Sequence, residues 1–407
     1  MKNMDVPNEY ISGPIDKIRK IRDAGGTRKD YAPTFLDFGP VQIYLARHFG
    51  FCLGVKEAIQ KASKIVNENS NKRIFLLSEI IHNPTVNNDF LKKGVKFVQD
   101  TDGSYKINLD ELTSDDVVII PAFGTTLEME QELKTRNIEI ENSDTTCRFV
   151  KKVWKKGFEI GQKGYTIVIH GKPEHEETKA TFSHAVPHAP TIIIRNMDEA
   201  VELGKYIVGL KTDDEFYSYF KNRCSAEFNF RDNLKKIGVI NQTTQLETDT
   251  LEIIEYLKNL VPAESIGDFN EVSDYFANTS DTLCYATSDN QLSVKSMLGF
   301  EADFALVVGG HKSSNTSHLV EICEDKLPTY YIDSQERIDI STIENYKWRS
   351  QEIEEVNNYL PNKKPVKILM TGGASCPDKD VESVINKLLS FYPECLTFEE
   401  VVDKLSY

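Results

Sequence analysis

Seven cysteines stand at positions 52, 147, 224, 284, 323, 376 and 395. Three of them, Cys52, Cys147 and Cys284, share one setting, because each comes just before an expected helix N-terminus. A helix N-terminus favours a thiolate through its free N–H groups and its dipole. Gly50 and Gly54 flank Cys52, and Thr145 and Thr146 precede Cys147, so small residues leave room for backbone N–H groups to approach a sulfur ligand. Three thiolates from distant segments suit a [4Fe–4S] cluster whose fourth iron lacks a protein cysteine. A lone free cysteine is more often just buried, and it is the repeated setting that lifts these three above that reading. Cys224, Cys323 and Cys395 lack the setting and read as core or surface thiols, while Cys376, directly before Pro377, stays open. The odd count, wide spacings and absence of a CxxC pair argue against a disulfide framework, a zinc ribbon or a thioredoxin-type pair.

The elements that must position these thiols recur in a fixed order. Cys52 leads into VKEAIQKASKIV, with Val55, Ala58, Ile59, Ala62, Ile65 and Val66 on one helical face. The strands RIFLLS, VKFV and VVII follow, with polar loops EIIHNPT and PAFGTT. Cys147 leads into a helix that stops near GQKG, then strands YTIVI, TIIIRN and IGVI with loops HGKPEHEET and NQTTQ. Cys284 leads into a helix ending near Met297, then strands FALVV, TYYID and VKILM with loops GGHKSSNTS and TGGASCPD. The fold class is therefore α/β, with three pseudo-repeated α/β units in a trefoil-like arrangement around a central cluster. Loops that follow strand ends are where open α/β sheets bind ligands. The expected divisions are an extension at 1–40, a first unit at 41–147, a second at 148–283 with an insertion near 206–234, and a third unit with the C-terminal tail at 284–407. The extension reads as a polar segment that wraps the body or frays.

A net charge of −15 over 407 residues argues against a nucleic-acid surface, which needs clustered Lys and Arg. Forty per cent hydrophobic and 27% charged residues fit a soluble globular chain, and no apolar run is long enough to span a bilayer. The N-terminus lacks the pattern of a signal or transit peptide, so the expectation is a cytoplasmic protein with neither membrane nor nucleic acid as partner.

The segments FGFCLGVKEAI, SEIIHNPTV, DTTC, HEET, INQTT, CYAT, GGHKSSNTSHL and TGGASCPD, in this order, resemble the 4-hydroxy-3-methylbut-2-enyl diphosphate reductase family from about residue 41 to about 392. The forms PAFG and IHGKPEHEET look like its plant and cyanobacterial branch. The resemblance implies a [4Fe–4S] cluster on Cys52, Cys147 and Cys284, and reductive removal of an allylic hydroxyl to give isopentenyl and dimethylallyl diphosphate. It also implies an electron donor of ferredoxin or flavodoxin type. The diphosphate binders of the family match His82, Ser313, Ser314, Asn315 and Ser375 here. A helix N-terminus opened by Ser-Ser-Asn is a physically sensible place for an anion, although the same residues would make an ordinary N-cap turn.

Loss of a hydroxyl as water needs a nearby proton donor, and a carboxylic acid would serve. The family's His-x-Glu spacing selects His175 and Glu177, whereas an ungapped alignment to the bacterial form selects Lys172 and Glu174. His175 and Glu177 are the preferred reading, because they match HEET in the plant-like branch, although the two alignments disagree and the sequence alone does not settle them. Thr243, between Gln242 and Thr244, matches the threonine that holds the water or substrate hydroxyl, and Gln242 is grouped with the substrate binders. Two positions depart from the bacterial pattern: Phe123 replaces a histidine and Arg148 replaces the proline after the second cysteine. Competing readings are an iron–sulfur hydratase or dehydratase without net redox, and a non-enzymatic iron–sulfur sensor. A diphosphate cradle argues against the sensor.

Overall fold

The computed structural model describes residues 6–27, 29–260, 271–277, 279 and 282–405. Of the 1–40 extension, residues 1–5 and 28 lie outside that set, as do residues 406 and 407 of the tail. In chain order the first elements are α1 (Gly13–Gly25), β1 (Thr34–Asp37), β2 (Val41–Leu45), α2 (Leu53–Glu68) and β3 (Ile74–Leu76). Next come α3 (Pro84–Lys92), β4 (Lys96–Phe97), β5 (Val117–Ile119), α4 (Leu127–Thr135) and α5 (Arg148–Gly161). The middle holds β6 (Thr166–His170), α6 (Glu176–Ala185), β7 (Thr191–Ile194), α7 (Met197–Ile207), α8 (Glu215–Tyr219) and α9 (Phe230–Asn233). Then follow β8 (Ile237–Asn241), α10 (Glu247–Lys258), α11 (Tyr285–Met297), β9 (Phe304–Val308), α12 (Ser314–Glu324) and β10 (Thr329–Ile332). The chain ends with β11 (Thr342–Lys347), β12 (Glu352–Asn357), β13 (Val366–Gly372), α13 (Asp378–Leu389) and α14 (Phe398–Asp403). The chain is mixed α/β, as its sequence pattern implies. Among the described residues no helix is long and apolar enough to cross a membrane.

Two compact units result. One comprises the chain up to Ser63, Ile81–Asp89 and the chain from Tyr285; the other comprises Lys64–Ile80 and Phe90–Cys284. The first unit is built on the sheet β1-β2-β13-β9-β10, in which β2, β13, β9 and β10 are parallel and β1 runs antiparallel to β2. Both faces of this sheet are covered, so β9 reads as an unbroken apolar run, buried at every residue from Phe304 to Val308. The strand VQIYL thus pairs with Val366–Gly372, more than 300 residues later in the chain. The 1–40 extension supplies structure here: Ile15 and Ile18 of α1 and Leu36 of β1 join the sheet's core, with Phe38 just after it. A hairpin, β11–β12, adds a second small sheet that sequence patterning did not predict.

The second unit carries two three-stranded parallel sheets, β4-β3-β5 and β7-β6-β8. The 206–234 stretch packs its aromatic residues Tyr206, Phe216, Phe220, Phe228 and Phe230 into the core against β7 and β8. Ring contacts such as Phe216 with Phe230 at 4.9 Å make this a built part of the unit.

Candidate active site

In the second unit the loops after β5, β6 and β8 hold the polar residues. After β5, Thr145 N donates to Ile120 O at 3.1 Å and Cys147 N donates to Ala122 O at 2.9 Å, so the PAFG loop fixes the backbone of Cys147. Cys147 is the N-cap of α5, at the helix end whose free N–H groups and dipole favour a thiolate. Helix α5 forms because Val150, Val153, Gly157 and Ile160 line one buried face. Burial, with smaller contributions from the nearby Cys284 and Glu177, pushes the Cys147 thiol up to about 11. Cys284 is held from the other side: Thr282 Oγ1 donates to Asn241 Oδ1 at 2.8 Å, tying the segment to the end of β8.

The acid sits between these segments. His175 caps α6 and its Nδ1 accepts from Glu177 N at 3.1 Å, which places Glu177 in the helix's first turn. Glu177 is 1% exposed, and its carboxylate accepts from Thr243 N at 2.5 Å and from Thr243 Oγ1 at 3.0 Å. Gln242 ties neighbouring loops together: its Oε1 accepts from Thr178 Oγ1 at 3.0 Å and Lys172 N at 3.1 Å, and its Nε2 donates to Thr244 Oγ1 at 2.7 Å. Glu174, by contrast, is exposed and pairs with Arg195 at 3.1 Å. Phe123 packs edge-on against the His175 ring, centroids 5.6 Å apart. Arg148 is exposed on α5.

In the first unit three loops meet through close backbone approach. Ser313 caps α12 by accepting from Thr316 N at 3.3 Å. Ser375 Oγ donates to His82 O at 3.2 Å and lies 3.3 Å from Ser313 Oγ. A β-carbon on Gly310 would collide with His82 O, and one on Gly373 with Thr316 Oγ1, so both positions demand glycine. His82, Ser313, Ser314, Asn315 and Ser375 are all buried. Asn315 Oδ1 accepts from Ala374 N at 2.7 Å, but its Nδ2 has no hydrogen-bond partner among the described residues. A buried amide donor left without an acceptor costs about 1–3 kcal/mol, so this nitrogen suits an anionic oxygen. Cys52 belongs to the same neighbourhood, since Cys52 N donates to Ala374 O at 3.2 Å and Gly50 N to Gly372 O at 3.2 Å.

One contributor escaped the sequence reading. Arg19 of α1 forms a two-pronged ion pair with Asp378 of α13 and donates to Phe49 O at 2.9 Å, clamping the loop that carries Cys52. No local pattern marks an arginine for that task. Burial first, and then the Arg19 charge, hold the neighbouring Lys56 below its usual range.

The seven cysteines are all free, and Cys323 and Cys376 are buried. Burial pushes the Cys323 thiol up to about 12. Among the described residues no three His, Cys, Asp or Glu side chains close on a single ion-sized point. A four-iron cluster makes a different demand, because each thiolate takes its own corner. Cys147 and Cys284 fit that demand in their own unit: Cys147 caps α5, Cys284 is near enough to bear on its charge, and no disulfide joins them.

A model of the LytB protein family matches residues 43–389. A relative from Picosynechococcus sp. named 4-hydroxy-3-methylbut-2-enyl diphosphate reductase is 38% identical over 94% of this chain and 90% of its own. One of the same name from Prochlorococcus marinus is 37% identical over 92% of this chain and 90% of its own. The solved (E)-1-hydroxy-2-methyl-but-2-enyl-4-diphosphate reductase of Plasmodium falciparum shares the fold, with a TM-score of 0.62 at 22% identity over 87% of this chain and 90% of that one. With a family match spanning most of its length and cyanobacterial relatives well above 30% identity, the chain belongs to the LytB family.

Proposed function

We propose that the protein is a 4-hydroxy-3-methylbut-2-enyl diphosphate reductase, acting at the end of the non-mevalonate route to isoprenoid precursors. The reaction replaces an allylic C–OH bond by C–H: two electrons and two protons enter, and water leaves. The observation that carries this reading is the buried Glu177 carboxylate, fixed by Thr243 and within electrostatic reach of Cys147. The reading assigns Cys52, Cys147 and Cys284 to a [4Fe–4S] cluster, with the three α/β units forming a trefoil-like arrangement around it. When bound, that cluster would supply electrons and one open Lewis-acidic corner.

The chain's own residues do the rest. Asn315 Nδ2 has an unused donor, and Ser313, Ser314 and Ser375 add hydroxyls at the N-terminus of α12, where an anion is favoured. His82 stands in the same loop cluster and is assigned to the diphosphate. Gln242 holds the Thr243 loop in place through its bonds to Thr178 and Lys172. Glu177 carries the proton that leaves with the hydroxyl, and Thr243 Oγ1, bonded to its Oε2, orients that hydroxyl. His175 fixes the turn by accepting from Glu177 N.

The test uses protein purified without oxygen. Reduced one-electron donor plus 4-hydroxy-3-methylbut-2-enyl diphosphate should give isopentenyl and dimethylallyl diphosphate. Turnover that continues without any reductant would instead identify a dehydratase.

A further inference from the structure

Helix α5 runs directly from Cys147, with Val150, Val153, Gly157 and Ile160 buried on one side. At about 100° per residue, Arg148, Lys151, Lys152 and Lys155 share the opposite side, and all four are exposed. This i, i+3, i+4, i+7 spacing usually carries an apolar stripe, yet every place holds a cation. Lys156 flanks the stripe, and Phe158, 45% exposed, lies at its edge. Asp144 pairs with Lys151 at 2.6 Å and Glu159 with Lys155 at 3.8 Å. Even so, residues 144–163 hold six basic and two acidic residues in a chain whose net charge is −15.

A cationic island on an acidic protein steers anionic partners to one place. Its first member follows Cys147 in the chain, and its last lies about 12 Å along the helix at 1.5 Å per residue. A short charged stripe edged by one exposed aromatic ring matches the small, weak interfaces of electron-transfer encounters, under about 1,200 Å². We propose that the exposed face of α5 docks an acidic [2Fe–2S] ferredoxin. The short footprint favours this small carrier over a flavodoxin. The inference rests on the assignment of Cys147 to the cluster. Two reduced ferredoxins, docking in turn, each give up one electron and leave oxidised; with two protons these electrons replace C–OH by C–H and release water.

The test compares wild type with Lys151→Glu/Lys152→Glu/Lys155→Glu, and with the milder Gln triple at the same positions. Ferredoxin affinity is titrated directly, and turnover is driven by either reduced ferredoxin or reduced methyl viologen. The expected result is a loss of at least about ten-fold in ferredoxin affinity and in kcat/KM at about 50 mM salt, shrinking at high salt as screening sets in. Methyl viologen turnover and iron content should be unchanged. A control with the same charge change, Lys326→Glu/Lys363→Glu/Lys364→Glu, should behave as wild type. Unchanged ferredoxin affinity in both triples, an equal loss in the control, or a site that takes only flavodoxin would overturn the proposal. If wild type turns over with neither donor, the reductase reading fails, and the titration still decides docking by itself.

Discussion

Asp380 offers a sharp test of the packing around the His82 loop. It lies in the first turn of α13, where its carboxylate accepts from Thr85 Oγ1 at 3.2 Å and Asn83 Nδ2 at 3.5 Å. Burial pushes the carboxyl up from 3.8 to about 6; the bonds from Asn83 and Thr85 pull against this, and the charges of Asp89 and Glu336 add to it. Between those two values the folded chain keeps a proton that the unfolded chain has lost. Stability therefore falls as pH rises through that window and stays lower above it. At about 1.4 kcal/mol per unit, a rise of two units costs about 3 kcal/mol once the group is fully charged. Asp380→Asn removes that cost and keeps a carbonyl acceptor for Thr85. Urea unfolding of both proteins, followed by circular dichroism, gives the stability difference from the midpoint shift. The variant's advantage should be about 2 kcal/mol larger at pH 8 than at pH 4.5. An advantage independent of pH, or a destabilised variant at pH 8, would refute the reasoning.

Glu177→Gln should lower turnover by about 10²–10⁴-fold while iron content and substrate binding persist, whereas Glu174→Gln should stay within about two-fold because its exposed carboxylate only pairs with Arg195. Steady-state rates on anaerobically prepared protein compare the two. Cys147→Ser should abolish the cluster's visible absorption, and Cys395→Ser should leave it intact; equal spectra would contradict the ligand assignment. Arg19→Ala should cost about 2–4 kcal/mol, because it strands a buried Asp378 carboxylate. Thermal unfolding measures the loss, and Arg19→Lys should recover only part of it, since a single ammonium cannot reproduce the fork.

Much of this arrangement was legible in the residues. Most of the parallel strands read as apolar runs, and helices after Cys52, Cys147 and Cys284 were expected from the sequence. Glu177 and Thr243 were each singled out from the sequence, but that the two would bond to each other was not readable there. Other features escaped for physical reasons. Strand β12, EIEEVN, is exposed along almost its whole length, so it lacks the alternation that betrays a half-buried strand. The pairing of β2 with β13 joins segments far apart in sequence, and hydrophobic runs do not specify partners. The stretch at 1–40 looked polar overall, yet a few apolar positions such as Ile15 and Phe38 suffice to lodge it in the core.

Strand β1 lies along the outer side of β2, its four residues paired from Thr34 with Leu45 to Asp37 with Gln42. A shortened protein beginning at Val41 would lay bare a row of unsatisfied N–H and C=O groups on an apolar ribbon. Such a bare margin is a template for other chains, so trimming this leader should turn a well-behaved protein into one that clumps.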